Sequence, residues 1–421
     1  MLLRYSLLIC LWLQSASELH ASEHNFNQHY QALVDDVINK PYLQPQLDFS
    51  NAIERLKKQP QIADNTLSEW QAKLQKLTPH TTCQQIAFQN LENHLRRIKV
   101  RESLKRKLSK KSQYSGDFSA LPNGRLWYLH WLETWLMDDV TPSELQEIAF
   151  NELHVAFAQY QKISAQARAS TAEAIPAAEH QKIVAAFITR EQKVKANLQT
   201  MLNLPEFEAP LTIASSGLPE SFPAPGIYDN RTQRFLYHPQ NGEMHLSHFD
   251  WLYLHEGIPG HHLQFNVVGT ESLCPTSAIV PIPFVSSEGW AAYVETLGKE
   301  MGLYEMPSSE AYALKWRVLR ALRVLIDIGI HYEGWLDEKA RVLWQTYLPE
   351  HPEIMVREIN RIKNWPAQVI TYVYGKYRID KAIEPYRNNR ARALNRVLRL
   401  SNQPPLALEH LADFMPLDNN K

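Results

Sequence analysis

Glycine is scarce in this chain: 14 residues of 421, against 25 prolines. Tight hairpins rely on glycine for their left-handed positions, so the count argues against a turn-rich, all-β fold. Net charge is nearly absent too, with 44 Lys+Arg against 45 Asp+Glu and a formal charge of −1. A dedicated nucleic-acid binder carries a basic excess, so no nucleic-acid partner is expected. Disorder is excluded by the same balance combined with 44% apolar residues. No later stretch approaches the roughly 18 uncharged apolar residues of a membrane-spanning helix. What is abundant is aromatic: 11 Trp and 18 Tyr, side chains whose apolar bodies and polar tips suit deep grooves.

The N-terminus reads as an export signal. Arg4 precedes an apolar run, Tyr5 to Leu13, and then a polar, small-residue stretch from Gln14 to Ser22. That order is the n-, h- and c-region pattern, and the run is too short to span a bilayer. Residues 1–22 are therefore expected to be a signal peptide, cleaved after Ser17 or Ala21, with a periplasmic destination. Ile9 before Cys10 lacks the small residue that lipidation requires. Cys83 and Cys274 then remain, to pair in an oxidising compartment or to stay as buried thiols.

Apolar spacing predicts a mainly α fold. Helix is expected over 28–112, broken at Pro41, Pro60 and Pro79, and over 127–163, divided at Thr141-Pro142. Further helices are expected over 177–202, 246–256, 260–267, 287–302, 309–346, 351–363, 366–385 and 389–400. The Pro/Gly-rich stretch 205–245 allows two short strands or a small hairpin, at FEAPLTI and RFLYHP. We expect an N-terminal helical region over 23–115 and a second, site-bearing one over 116–421. Between Arg96 and Lys111 nine Lys/Arg accompany a single Glu. The favoured reading there is a solvated helix face, with Leu95, Ile98, Leu104 and Leu108 turned inward.

The chemistry concentrates at His255-Glu256-Gly257-Ile258-Pro259-Gly260-His261-His262-Leu263-Gln264. Zinc peptidases place two His at i, i+4 on a helix, with a Glu between them to activate water. Here four residues separate Glu256 from His261. On an unbroken helix, at 100° per residue, His262 rather than His261 returns to the face of His255. Pro259 argues against an unbroken helix, because its ring clashes with the carbonyl of His255. A bulge of about two residues between Gly257 and Gly260 would restore His261 to the ligand position. His261 is the first choice as second ligand and His262 the alternative, with a turn holding packed histidines as the bland reading.

Downstream, Ser287-Glu288-Gly289-Trp290-Ala291-Ala292-Tyr293-Val294-Glu295 is similar to the N-E-G-F-A-x-Y-x-E helix of gluzincin metallopeptidases. By position the resemblance makes Glu288 the third zinc ligand, while Glu295, on the same face, suits a role holding a histidine. Arg320, Arg323, Asp327 and His331 form one polar stripe on an otherwise apolar helix. Either Arg323 and Asp327 pair in solvent, or the stripe lines a wet cavity. In the cavity reading, His331 steadies an oxyanion and an Arg meets a substrate carboxylate.

Taken together, H-E-x-x-P-G-H-H-L-Q, E-G-W-A-x-Y-x-E, the stretch Arg320 to Trp335 and P-x-Q-x-x-x-Y-x-x-G (Pro366 to Gly375) resemble the bacterial family known as domain of unknown function 885. The likeness covers roughly residues 120–410. Two departures stand out: the usual Gly after Pro is Ala367, and an expected Phe-His-Asp reads Leu394-Asn395-Arg396. The resemblance implies a multi-helical, gluzincin-like fold with a deep central channel and zinc hydrolase chemistry. His255, His261 and Glu288 would hold zinc, Glu256 would act as general base, and His331 or Tyr372 would stabilise the tetrahedral intermediate. Arg320, Arg323 and Gln368 would bind a short peptide or related amide. The competing reading is an envelope protein that keeps the metal site but binds peptides or wall fragments without turnover.

Overall fold

The structure is a computed structural model that describes residues 23–38, 49–169, 173–204, 207–219, 222, 224–275, 283–350 and 352–415. The expected signal peptide lies outside the described residues. Helix α1 covers 23–38. It is followed by α2 (Phe49–Lys58), α3 (Asp64–Leu74), α4 (Thr82–Lys105), α5 (Gly124–Leu136), α6 (Pro142–Ala169) and α7 (His180–Leu202). After a stretch that carries short strands come α8 (Leu246–Glu256), α9 (His261–Glu271), α10 (Phe284–Val294), α11 (Pro307–His331) and α12 (Asp337–Tyr347). Then come α13 (Pro352–Asn364), α14 (Thr371–Ile383) and α15 (Arg390–Leu400), followed by a 3-10 helix at Pro405–Phe414. The fold is mainly α, and no described helix is long and apolar enough to cross a membrane.

Helix boundaries follow local chemistry. Thr141 and Glu144 form a reciprocal capping box at the start of α6: each side chain bonds the other's backbone N–H, at 3.2 and 2.8 Å, and Pro142 opens the helix. The single helix expected over 309–346 is instead two. α11 stops at His331 because the chain folds back there, and the Trp335 N–H donates to the Gly329 carbonyl at 2.8 Å.

β structure is confined to five short strands: β1 (Ala174–Pro176), β2 (Thr212–Ser215), β3 (Gly226–Asp229), β4 (Arg234–Tyr237) and β5 (Glu243–His245). The two segments singled out in the sequence do pair, as β2 and β4, but in parallel. The hairpin is β3–β4, and β1 pairs with β5.

Residues of α1, α3 and α4 make a small apolar core around Trp70, Leu91 and Leu95, while Ile86 and Leu104 of α4 join the main core. The basic stretch is a solvated face in most of its length, with Leu95, Ile98 and Leu104 turned inward as expected and six of its nine cations exposed; three cations depart from this. Arg97, Arg101 and Lys105 are buried, and Arg101 and Lys105 pair with the fully buried Glu102, whose carboxylate also accepts from the Ile62 N–H. Cys83 and Cys274 form a disulfide, tying the start of α4 to the segment after α9.

Glycines set the closest helix contact. A methyl group at Gly289 would lie 2.5 Å from the Gly375 backbone, and one at Gly375 would lie 2.1 Å from the Val285 carbonyl. No side chain fits there, so α10 and α14 touch through their backbones.

Candidate metal centre

α8 ends at Glu256 and α9 begins at His261, so the proline-bearing link breaks the helix where its chemistry requires. Gly260 makes the tight return possible: a Cβ there would lie 2.0 Å from the His255 carbonyl oxygen. The Trp290 indole of α10 donates to the Pro259 carbonyl at 2.8 Å, fastening the link to the helix that carries Glu288.

The break brings His261, not His262, to His255. The Nε2 atoms of His255 and His261 stand 3.4 and 3.6 Å from the Glu288 Oε2. All three donor atoms lie within 4.8 Å of one another, and among the described residues they form a group able to hold a metal ion. Ligands about 2.0–2.1 Å from a tetrahedral zinc are separated by about 3.3–3.5 Å, so the donor set suits such an ion in chemistry and in its two His–Glu288 separations. His262 faces away. Its Nε2–H donates to the Ala209 carbonyl at 3.2 Å, and its Nδ1 meets the Tyr228 hydroxyl at 3.0 Å.

The outer ring holds these donors in place. The His255 Nδ1–H donates to Glu295 Oε1 at 2.6 Å, and Arg320 binds the other oxygen of that carboxylate at 2.5 Å. His261 Nδ1 lies 3.3 Å from Gln264 Oε1 and 3.4 Å from the Ser287 hydroxyl. Such bonds at Nδ1 leave Nε2 free as the donor to a metal. Burial alone would lower the His255 imidazole, but bonds to Glu288 and Glu295 outweigh it and push it up to about 10. Glu288 is driven the other way, well below the usual carboxylate range, because the two histidines outweigh its burial. The pattern is that of two bases and an acid converging on one point. Glu256 is buried beside them, and burial raises its carboxyl above the usual range.

The polar stripe of α11 is less uniform than its spacing predicts. Arg320 is committed to Glu295, and Arg323 donates to Glu358 Oε2 at 2.6 Å from within the core. Neither guanidinium is left without a carboxylate. Asp327 accepts from the Tyr128 hydroxyl and the Ala367 N–H, both at 2.8 Å, rather than pairing with Arg323. Ala367 adopts the left-handed conformation (φ 65°), which glycine takes without strain.

The structure does not bring His331 to the metal donors. Its ring packs among Tyr114, Phe118 and Tyr128, and its Nε2–H donates to the Ile362 carbonyl at 3.1 Å. The stripe spacing fixed a helix face but not a distance along it: at 1.5 Å per residue, His331 is about 16 Å beyond Arg320. Tyr372 does reach the site, its ring 6.4 Å from that of His255 between centroids. Its hydroxyl and the Gln368 amide oxygen both meet Arg361. Arg361 and Glu358 went unnoticed in the sequence. The available signal was the one used for α11, charged residues set among the apolar Met355, Ile359 and Ile362 of α13.

The family can now be placed. Residues 12–395 match the bacterial proteins of unknown function designated DUF885. This chain belongs to that family. Comparison with curated proteins gives no significant match. Among solved structures, the "putative lipoprotein from Colwellia psychrerythraea" is similar at 20% identity with a TM-score of 0.60, over 86% of this chain and 69% of that one. A "putative lipoprotein of unknown function from Shewanella oneidensis" is similar at 16% identity with a TM-score of 0.54, over 94% of this chain and 73% of that one. At such identities the likeness speaks to the fold alone.

Proposed function

We propose that this DUF885 protein is an exported, zinc-dependent hydrolase of gluzincin type, acting on short peptides or related amides. The convergence of His255, His261 and Glu288 on one point, with Glu256 alongside, carries the reading. Three protein ligands leave a coordination position open, as catalytic zinc sites do and structural ones do not. A zinc ion there would supply a Lewis acid that acidifies water and polarises a carbonyl.

The chain's own groups do the rest. Glu256 takes the proton of the attacking water and passes it to the leaving amine, a role its burial and raised pKa favour. Glu295, itself neutralised by Arg320, fixes the His255 ring. The Tyr372 hydroxyl is the candidate donor to the developing oxyanion, and His331 has no part in that step. Export is supported by the Cys83–Cys274 disulfide, a bond that persists in oxidising compartments.

The test is turnover of a mixed peptide library by zinc-loaded wild type and by Glu256→Gln. Cleavage by wild type, reduced about 10²- to 10⁴-fold in the variant with zinc retained, is the expected result. No cleavage by wild type would favour the non-catalytic binding alternative.

A further inference from the structure

Beside the metal donors lies a cluster in which cations outnumber anions, with Arg323 and Glu358 buried and Arg357 and Arg361 half-buried. α13 places Arg357, Glu358 and Arg361 along one side, and α11 adds Arg323. All three arginines act on the single Glu358 carboxylate. Arg323 binds one of its oxygens, and the other has no hydrogen-bond partner. Arg361 has no carboxylate within ion-pair distance among the described residues. Its Nη2 donates to Gln368 Oε1 at 3.0 Å and lies 3.4 Å from the Tyr372 hydroxyl, while its buried Nε–H has no partner. The charge of Glu288 also reaches Arg361, but that carboxylate is already shared by His255 and His261. A guanidinium with an idle N–H in a water-poor setting is costly unless an anion completes it.

Tyr372 connects this cluster to the centre. Its ring stacks beside His255 and carries the Arg320 guanidinium 4.7 Å from its centroid, while its hydroxyl points to Arg361. Tyr372 touches both sides of this path, its ring beside His255 and its hydroxyl at Arg361, so a substrate whose scissile carbonyl sits at the metal donors and runs past Tyr372 meets Arg361 with its next residues. We infer that Arg361 receives the C-terminal carboxylate of the substrate, so that the enzyme removes one or two residues from the free C-terminus of short peptides. The planar guanidinium fork suits a carboxylate, and Gln368 and Tyr372 hold that fork in place. This assignment rests on the hydrolase reading for its neighbouring centre, yet the binding it requires is measurable without turnover.

The experiment uses two pools of Ala-Ala-Xaa tripeptides, one of free acids and one of C-terminal amides. Affinities are measured calorimetrically on zinc-loaded Glu256→Gln, with and without Arg361→Met, and cleavage of both pools by wild type is followed by mass spectrometry. The acid pool should bind at least about tenfold tighter than the amides, Arg361→Met should abolish that preference, and Arg361→Lys should restore part of it. Equal affinity for acids and amides, no binding of either pool, or equal loss of both in Arg361→Met would overturn the assignment. Acid-selective binding without cleavage by wild type would leave the anchor standing and refute the hydrolase reading. Equal cleavage of acids and amides would do the reverse.

Discussion

The Nε2 atom of His255 and the Oε2 atom of Glu288 stand 3.4 Å apart, on helices joined by a long excursion of the chain. Neither position is a comfortable place for an unpartnered group. His255 is held on its far side by Glu295, and Glu288 reaches toward both imidazoles. The proposed ion would sit at that point, and the next two outcomes depend on it.

Ligand choice separates His261 from its neighbour. His261→Ala should lose bound zinc, measured by plasma mass spectrometry on purified protein, whereas His262→Ala should keep it. The second variant instead leaves Tyr228 without its partner in the core, at a cost of about 1–3 kcal/mol in denaturant melts. Zinc loss in His262→Ala alone would reverse the assignment.

On the proposed reading Glu295 positions a ligand, His255, without being one. Glu295→Gln should lower zinc affinity about 10- to 100-fold, the usual effect of losing a carboxylate behind a ligating histidine. Competition with a chelator of known affinity measures this. Unchanged affinity would mean that Arg320 and Glu295 serve only to balance each other.

The sequence showed the site's donors more clearly than their surroundings. His255 and Glu256 could be read from short, local spacing, Glu288 from the likeness to the gluzincin helix, and Pro259 pointed to the break that favours His261 over His262. The roles along α11 were not legible in the same way. A helical stripe says that Arg320, Arg323 and His331 share a face, but their partners Glu295, Glu358 and Ile362 come from other segments. The same limit hid the burial of Arg97 and Arg101, and the parallel pairing of β2 with β4, which no local signal distinguishes from a hairpin. Cys83 and Cys274 could be read as able to pair, but only the packing of α4 against the segment after α9 brings them together.

That disulfide closes a loop of 191 residues. Replacing both cysteines by serine should cost about 2–5 kcal/mol in equilibrium unfolding, mainly through freedom returned to the unfolded chain. Equal stability with and without the bond would contradict this.

Two buried groups give opposing pH dependences. Burial raises Asp327 to about 7, so the folded chain keeps a proton that the unfolded chain has shed, and stability rises as pH falls from about 7 to about 4. Burial lowers His331 to about 4, so the unfolded chain gains a proton first, and stability drops as pH falls from about 6.5 to about 4. In wild type the two slopes offset across that window. Asp327→Asn removes the first, so its thermal midpoint should fall more steeply than that of wild type between pH 6.5 and 4. Parallel profiles for the two proteins would contradict the assignment.

The most direct measurement is anomalous diffraction at the zinc edge from crystals of zinc-loaded protein. The account requires one strong peak about 2.0–2.2 Å from His255 Nε2, His261 Nε2 and Glu288 Oε2, with none at His262. A peak elsewhere, or none at these three atoms in zinc-saturated crystals, would contradict it.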